Sequence, residues 1–205
     1  MQIRQFEQMF ASTHPISIGQ IRLRDKDFSL QQLHTRQKKW WIQKLMRWWW
    51  VLPNIVTHHG HTAAISNSIY EPSYLSLERA LRYYNLIPEW VYMCTACTTK
   101  KTQQFHTSLG TFAYQTIAPK LFWGYTVQTV GVYQHIRIAS PEKTLCDYSY
   151  LHPEMTWPED FEEMRINSIQ WQQIASEETL RQYADHYPKA TQQRIAYFLD
   201  YITHA

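Results

Sequence analysis

Glycine is scarce in this chain: five in 205 residues, against nine Trp, where glycine ordinarily makes up about 7% of a protein. Cysteine is scarcer still. Three thiols cannot form a disulfide framework, and an odd count is ordinary in a reducing cytosol. No run of 18 apolar residues occurs, so no membrane span is expected. The opening MQIRQFEQMF lacks the apolar stretch and small-residue cleavage site of a secretory leader. GxSxG, Walker A and GxGxxG patterns are absent too, leaving serine-hydrolase, nucleotide-hydrolysing and dinucleotide-binding functions without support. Low-complexity tracts and internal repeats are missing. The expectation is a cytoplasmic chain, long enough for one ordinary domain or two small ones.

Charge, by contrast, is unevenly placed. Residues 1–50 hold nine Lys/Arg against three acids, and the remainder holds eleven against fourteen. An overall +3 therefore divides into a head of +6 and a body of −3. A basic head of this size can neutralise several phosphates, each displaced counterion adding sequence-independent affinity for nucleic acid.

The pattern beneath that charge has helical spacing. Ile3, Phe6 and Phe10 recur on one face before His14-Pro15, a second short helix fits Ile16 to Leu23, and Asp27 or Ser29 can cap a third. In this third segment Leu30, Leu33, Gln37 and Trp41 share a face, with Gln32, Thr35, Arg36 and Lys39 roughly opposite and Gln31 and Lys38 flanking. Amide, hydroxyl and cationic side chains of this kind read base edges and grip phosphates. WWIQKLMRWWWVLP then reads as two short strands of a hairpin. Three helices and a hairpin predict a winged helix-turn-helix over residues 1–53. Gln31, Gln32, Thr35, Arg36 and Lys39 would face the major groove, with Lys38 beside them and Lys44 and Arg47 on backbone phosphates. Small winged domains also bind proteins, so the fold alone decides nothing.

Residues 54–205 predict a second domain of mixed α/β type, giving an α+β protein overall. HHGH (58–61) reads as a linker entering a helix, Pro72 breaks that helix, and Ser76 caps the next. VYMCTACTT, LGTFAYQTI, LFWGYTVQT and GVYQHIRIA are β-branched and aromatic, and predict a mostly antiparallel sheet. Ser140-Pro141 starts a helix, and helices near 158–166, 176–186 and 189–203 make the C-terminus helical.

Several groups in this body tempt a chemical reading. Cys94 and Cys97 have CxxC spacing, but in a strand they would point to opposite faces, and Cys146 is the only other thiol. His58, His59 and His61 could add ligands, yet closely spaced histidines are an undemanding pattern; no metal site is expected. Glu142, Lys143 and Asp147 share the composition of a nuclease triad. The adjacent Glu and Lys at a helix start lack the Glu-x-Lys strand spacing that chemistry needs. A catalytic nucleic-acid-processing domain stands as the rival function, and a ligand-sensing regulator as a third. Lys100 and Lys101 fit a solvated turn, a second nucleic-acid contact or part of an antitoxin surface.

Six segments in order then carry a resemblance. IYEPSYLSLERAL, LIPE, TTKKT, LGTFAY, LFWGY and IASPEKTLCD resemble the AbiEi antitoxin family of abortive-infection systems, also described as predicted transcriptional regulators of viral defence systems. The similar proteins also begin with a short winged helix ending in a hairpin. The resemblance implies a non-enzymatic type IV antitoxin without cofactor that represses its own operon. Its partners would be double-stranded operator DNA and, as a functional antagonist, a nucleotidyltransferase toxin encoded nearby, with no stable complex required. The chain departs from the family where Gly is expected and Trp40, Trp48 and Trp90 stand. Trp cannot adopt a positive φ cheaply, so UGA codons read as glycine in the source is one explanation. Genuine Trp residues would instead favour stacking or a contact surface.

Overall fold

Two reciprocal caps organise the N-terminal region. The computed structural model describes residues 3–10, 15–53, 59–130, 134–157 and 159–204. Helix α1 (Ile3–Phe10) buries Phe6 and Phe10, whose ring centroids lie 4.8 Å apart. Helix α2 (Ile18–Arg24) starts at Ser17, which accepts the Gln20 N–H at 3.1 Å while the Gln20 side chain accepts the Ser17 N–H at 2.7 Å. Helix α3 (Leu30–Lys38) repeats the device with Ser29 and Gln32. Of the two candidate caps for α3, Ser29 is the one used. Each box satisfies two backbone N–H donors that a helix start otherwise leaves open.

Ile16 and Ser17 form a short strand, β1, in place of the expected first turn of helix, because they pair with Trp50 and Trp49. With β2 (Gln43–Met46) and β3 (Trp49–Val51) this makes a three-stranded antiparallel sheet in the order β1-β3-β2. Phe6, Phe10, Ile16, Ile21, Phe28, Leu33, Ile42, Trp50 and Leu52 close the core beneath it.

Beyond α4 (His59–Ile69) lies a six-stranded sheet of β4 (Ser73–Leu75), β5 (Cys94–Thr98), β6 (Gln103–Thr107), β7 (Gly110–Thr116), β8 (Tyr125–Val130) and β9 (Gln134–Ala139). Its order is β6-β7-β5-β4-β9-β8. The sheet is mixed, with antiparallel pairings in the majority: β4–β5, β6–β7 and β8–β9 are antiparallel, while β5–β7 and β4–β9 pair in parallel. Both parallel pairs arise because a hairpin, β6–β7 or β8–β9, returns its second strand to the middle of the sheet. The polar strand β6 was not expected; QQFHT lacks an apolar alternation because it is an outer strand.

One face of this sheet is covered by α4 and by Leu45 and Val51 of the small hairpin, packed with Cys94, Ala96, Phe112 and Tyr114. The other meets α5 (Leu77–Tyr83), α6 (Pro141–Leu151) and the C-terminal helices α7 (Glu159–Glu163), α8 (Ser168–Ile174), α9 (Glu177–Ala184) and α10 (Lys189–His204). Hydrophobic packing therefore crosses residue 53, since the hairpin helps to build the core of the larger sheet.

Candidate nucleic-acid interface

Helix α3 turns one polar face outward, at a phase shifted from the sequence expectation. Leu33 and Arg36 are buried and Gln37 half-buried, while Gln31, Gln32, His34, Thr35, Lys38 and Lys39 are exposed. With about 100° per residue, Gln31, Thr35 and Lys38 sit at the crest, flanked by His34 and Lys39. The cap fixes Gln32 at the helix start, where its Oε1 accepts the Ser29 N–H. Thr35 donates its hydroxyl to the Gln31 carbonyl at 2.9 Å, leaving its methyl and oxygen lone pairs outward.

Arg36 must be removed from the expected base-reading set. Its guanidinium carbon lies 4.7 Å from the Phe6 ring centroid and 4.8 Å from that of Phe28. Burial lowers its pKa from the usual value, and the charge of Asp25 opposes that shift. Cation–π contact with two rings explains why a guanidinium is tolerated inside this small core. Sequence phase alone placed it outside, and His34 was overlooked for the same reason. Fixing Leu33 and Arg36 on the inner face brings His34 out.

Where α3 meets the hairpin, a groove of about 400 Å³ is bordered by His34, Lys38, Trp40, Gln43 and Lys44. Lys44 and Arg47 are exposed on the hairpin. Lys39 Nζ lies 4.9 Å from the Trp41 ring and the Arg47 guanidinium 5.2 Å from that of Trp48. These aromatic faces hold the cations without neutralising them. Trp40 and Trp48 both adopt left-handed backbone, with φ of 59° and 72°. Trp90, the third position where Gly was expected, is absent from the left-handed set, which otherwise contains Leu77, Asn85 and Arg165.

The rival triad has a different geometry. Lys143 and Asp147 are wholly buried, with Lys143 Nζ 2.5 Å from Asp147 Oδ1. Asp147 also accepts hydroxyls from Tyr74 at 2.8 Å, Ser76 at 2.9 Å and Tyr187 at 2.8 Å. Ser76 stands at the start of α5 as expected, but its hydroxyl serves Asp147 instead of capping that helix. Rings of Tyr74, Trp123 and Tyr187 surround the ammonium. The glycine at 124 (φ +73°) is required here, because a Cβ would come within 3.0 Å of the Lys143 stem. Glu142 faces elsewhere and accepts the Ser176 N–H at 3.0 Å. These groups knit β4, α6 and the α9–α10 turn together and offer no surface to a substrate.

Cys94 and Cys97 lie in separate cores on opposite faces of the sheet, and burial pushes the thiols of Cys94, Cys97 and Cys146 up, away from reactive thiolates. Among the described residues no three of His, Cys, Asp and Glu converge. His58 and the side chains of His59 and His61 lie outside the described residues. Lys100 and Lys101 are exposed between β5 and β6, with Lys100 Nζ 5.3 Å from the Tyr70 ring. A cavity of about 440 Å³ beside α5 and α7 is lined by Leu81, Ile87, Met155 and Met164 together with the acidic residues Glu78, Glu89, Glu154, Asp160 and Glu163. No helix among the described residues is long and apolar enough to cross a membrane. The chain matches no family model and no curated protein.

Proposed function

We propose that the chain is a non-enzymatic, DNA-binding regulator. Residues 3–53 act as a winged helix, and α3 enters the major groove of operator DNA. The order α1–β1–α2–α3–β2–β3, with the sheet order β1-β3-β2, supports the winged helix-turn-helix reading. The observation that carries the reading is the crest of Gln31, Thr35 and Lys38 on a doubly capped helix beside a hairpin bearing Lys44 and Arg47. Amides pair with adenine edges, hydroxyls suit either purine or pyrimidine partners, and cations hold phosphates. His34 and Lys39 join the interface; Arg36 supports it from within.

The resemblance to AbiEi antitoxins makes autorepression the role of that binding, and antagonism of a nearby nucleotidyltransferase toxin the role of the whole chain, without a stable complex. No cofactor or metal enters this scheme. The burial of Lys143 and Asp147 favours it over the nuclease alternative. A gel-shift against the chain's own upstream DNA, with random duplex as competitor, tests the reading. Gln31→Ala or Lys38→Ala should weaken operator binding by about 1–3 kcal/mol if the side chain reads a base. Wild-type affinity in both variants would displace α3 from the groove, and failure of the wild type to bind at low salt would end the DNA-binding reading.

A further inference from the structure

The acids of the body are not spread over it. Residues 90–141 contain four Lys/Arg and no Asp or Glu, whereas residues 142–205 contain five Lys/Arg against eleven acids. Strands β5 to β9 thus form a carboxylate-free sheet, and the negative charge of the chain belongs to its C-terminal helices. Of the sheet's cations, Arg137 is committed to Glu71 at 2.7 Å and to the Asn67 carbonyl. Lys100 and Lys101 are exposed at the entry to β6.

Strand β6 is an outer strand and, among the described residues, pairs with β7 alone. Its exposed residues Gln103, Gln104 and His106 are polar and carry no negative charge. At its far end, the β6–β7 turn touches the small hairpin: Ser108 donates its hydroxyl to the Lys44 carbonyl at 3.5 Å. Below that contact, Leu45 and Val51 share a core with Phe112 and Tyr114 of the same sheet. The hairpin and β6 are therefore held together by packing, and the edge strand that lies between Lys44 and Lys101 carries no acidic side chain. Strand β6 itself, from Gln103 to Thr107, rises by about 3.3 Å per residue, roughly 13 Å, with Lys101 and Ser108 beyond its two ends. One DNA strand presents a phosphate at about every 3.4 Å of axis, a closely matching spacing.

We infer that edge strand β6 and its leading turn are a second DNA-binding element, in which Lys100 and Lys101 hold phosphates of duplex flanking the α3 footprint. This rests on the winged-helix reading above. Gln103, Gln104 and His106 supply neutral hydrogen-bonding groups along the way, and the outer edge of β6 adds backbone N–H groups, which commonly bind phosphates. The element carries no sequence information; it adds affinity and salt dependence. Both lysine side chains can be shortened without loosening the turn, whose carbonyls accept from Thr116 and Tyr70 hydroxyls.

The test is fluorescence anisotropy on the full chain with two random-sequence duplexes, of about 40 and about 14 base pairs, over a salt titration. Lys100→Ala/Lys101→Ala should lower the slope of log affinity against log salt by about 2 on the long duplex, close to 0.9 per phosphate contact. On the short duplex it should bind as the wild type does. Circular dichroism and thermal melting verify that the variant folds. An unchanged slope in this variant, while Lys38→Ala/Lys44→Ala lowers it, overturns the second element and leaves the winged-helix reading intact. Equal losses on both duplexes also overturn it, because a diffuse field would then replace a located contact. If the wild type binds neither duplex at low salt, both readings fall together.

Discussion

Replacing Trp40 by glycine should stabilise the protein. Its φ of 59° places a bulky side chain in the left-handed region, and the ring is 81% exposed. A non-glycine residue there costs about 1–2 kcal/mol, while glycine loses about 0.5–1 kcal/mol of chain entropy on folding. With almost no burial to forfeit, Trp40→Gly should gain about 0.5–1 kcal/mol. For a chain of this size, each kcal/mol moves Tm by about 2–4 °C. Trp48 has the same backbone strain (φ 72°) but is only half exposed and supports Arg47. Loss of that cation–π contact, about 0.5–1 kcal/mol at an exposed site, should bring Trp48→Gly close to neutral. The assay is urea denaturation of the Gly and Ala variants at each position. Alanine still has a Cβ, so Trp40→Ala should not match Trp40→Gly; equal stability of the two would refute the strain argument. Trp90→Gly, at a position outside the left-handed set, should show no such gain. Reading the three codons completes the test: UGA at 40, 48 and 90 would make glycine the encoded residue, and UGG would make the strain native.

Three further outcomes are expected. Arg36→Ala should cost about 2–3 kcal/mol of stability by emptying a core site between Phe6 and Phe28, seen in chemical denaturation. It should leave DNA affinity per folded molecule unchanged, the reverse of the Lys38→Ala pattern. Asp147→Asn should destabilise by about 3–5 kcal/mol because it strands the buried Lys143 ammonium, and Lys143→Met/Asp147→Leu should recover much of that loss. Alkali should unfold the protein cooperatively above pH 10. Burial raises the pKa of Tyr74, Tyr114 and Tyr187 above the ordinary value of 10.0, with Asp147 adding to it for Tyr74 and Tyr187. Half-buried Tyr148 is pushed up to about 12. A raised folded-state pKa gives stability that is complete below pH 10 and is lost as pH rises toward the folded value. The three deeply buried rings together cost roughly 4 kcal/mol per pH unit above 10. Far-UV circular dichroism against pH measures this, and retention of structure at pH 12.5 would contradict it.

Elements governed by local chemistry were legible in the sequence. Ser29 and Ser140 mark helix starts because hydroxyl caps act over three residues, and both do so here. Alternation revealed β7 and β9, whose inner positions meet a core; β8 was legible from its β-branched and aromatic residues, although none of its described residues is fully buried. Strand β6 escaped because an edge strand with little burial needs no apolar alternation. Helix α8, whose one fully buried residue is Trp171, escaped because one buried position sets no period. The mixed strand order depends on which member of a hairpin returns inward, a choice made by packing between distant segments. At the candidate site, the exposed lysines and Gln31 were readable from charge and helix phase. Arg36 was not, since its place depends on two rings contributed by α1 and the α2–α3 loop. The Lys143–Asp147 pair had looked like possible chemistry because composition records charges and says nothing of depth.

The small hairpin has one side in each of two cores. Trp50 packs toward the N-terminal helices, and Leu45 and Val51 toward the large sheet. A cut after residue 53 would therefore follow the chain without following the seam, and the released fragment would display two bare aliphatic side chains beside its basic wing. Grafting this head onto another body calls for redesigning the underside of the hairpin as well as the linker. For the same reason, a load applied to the hairpin would be borne by the large sheet through Leu45 and Val51.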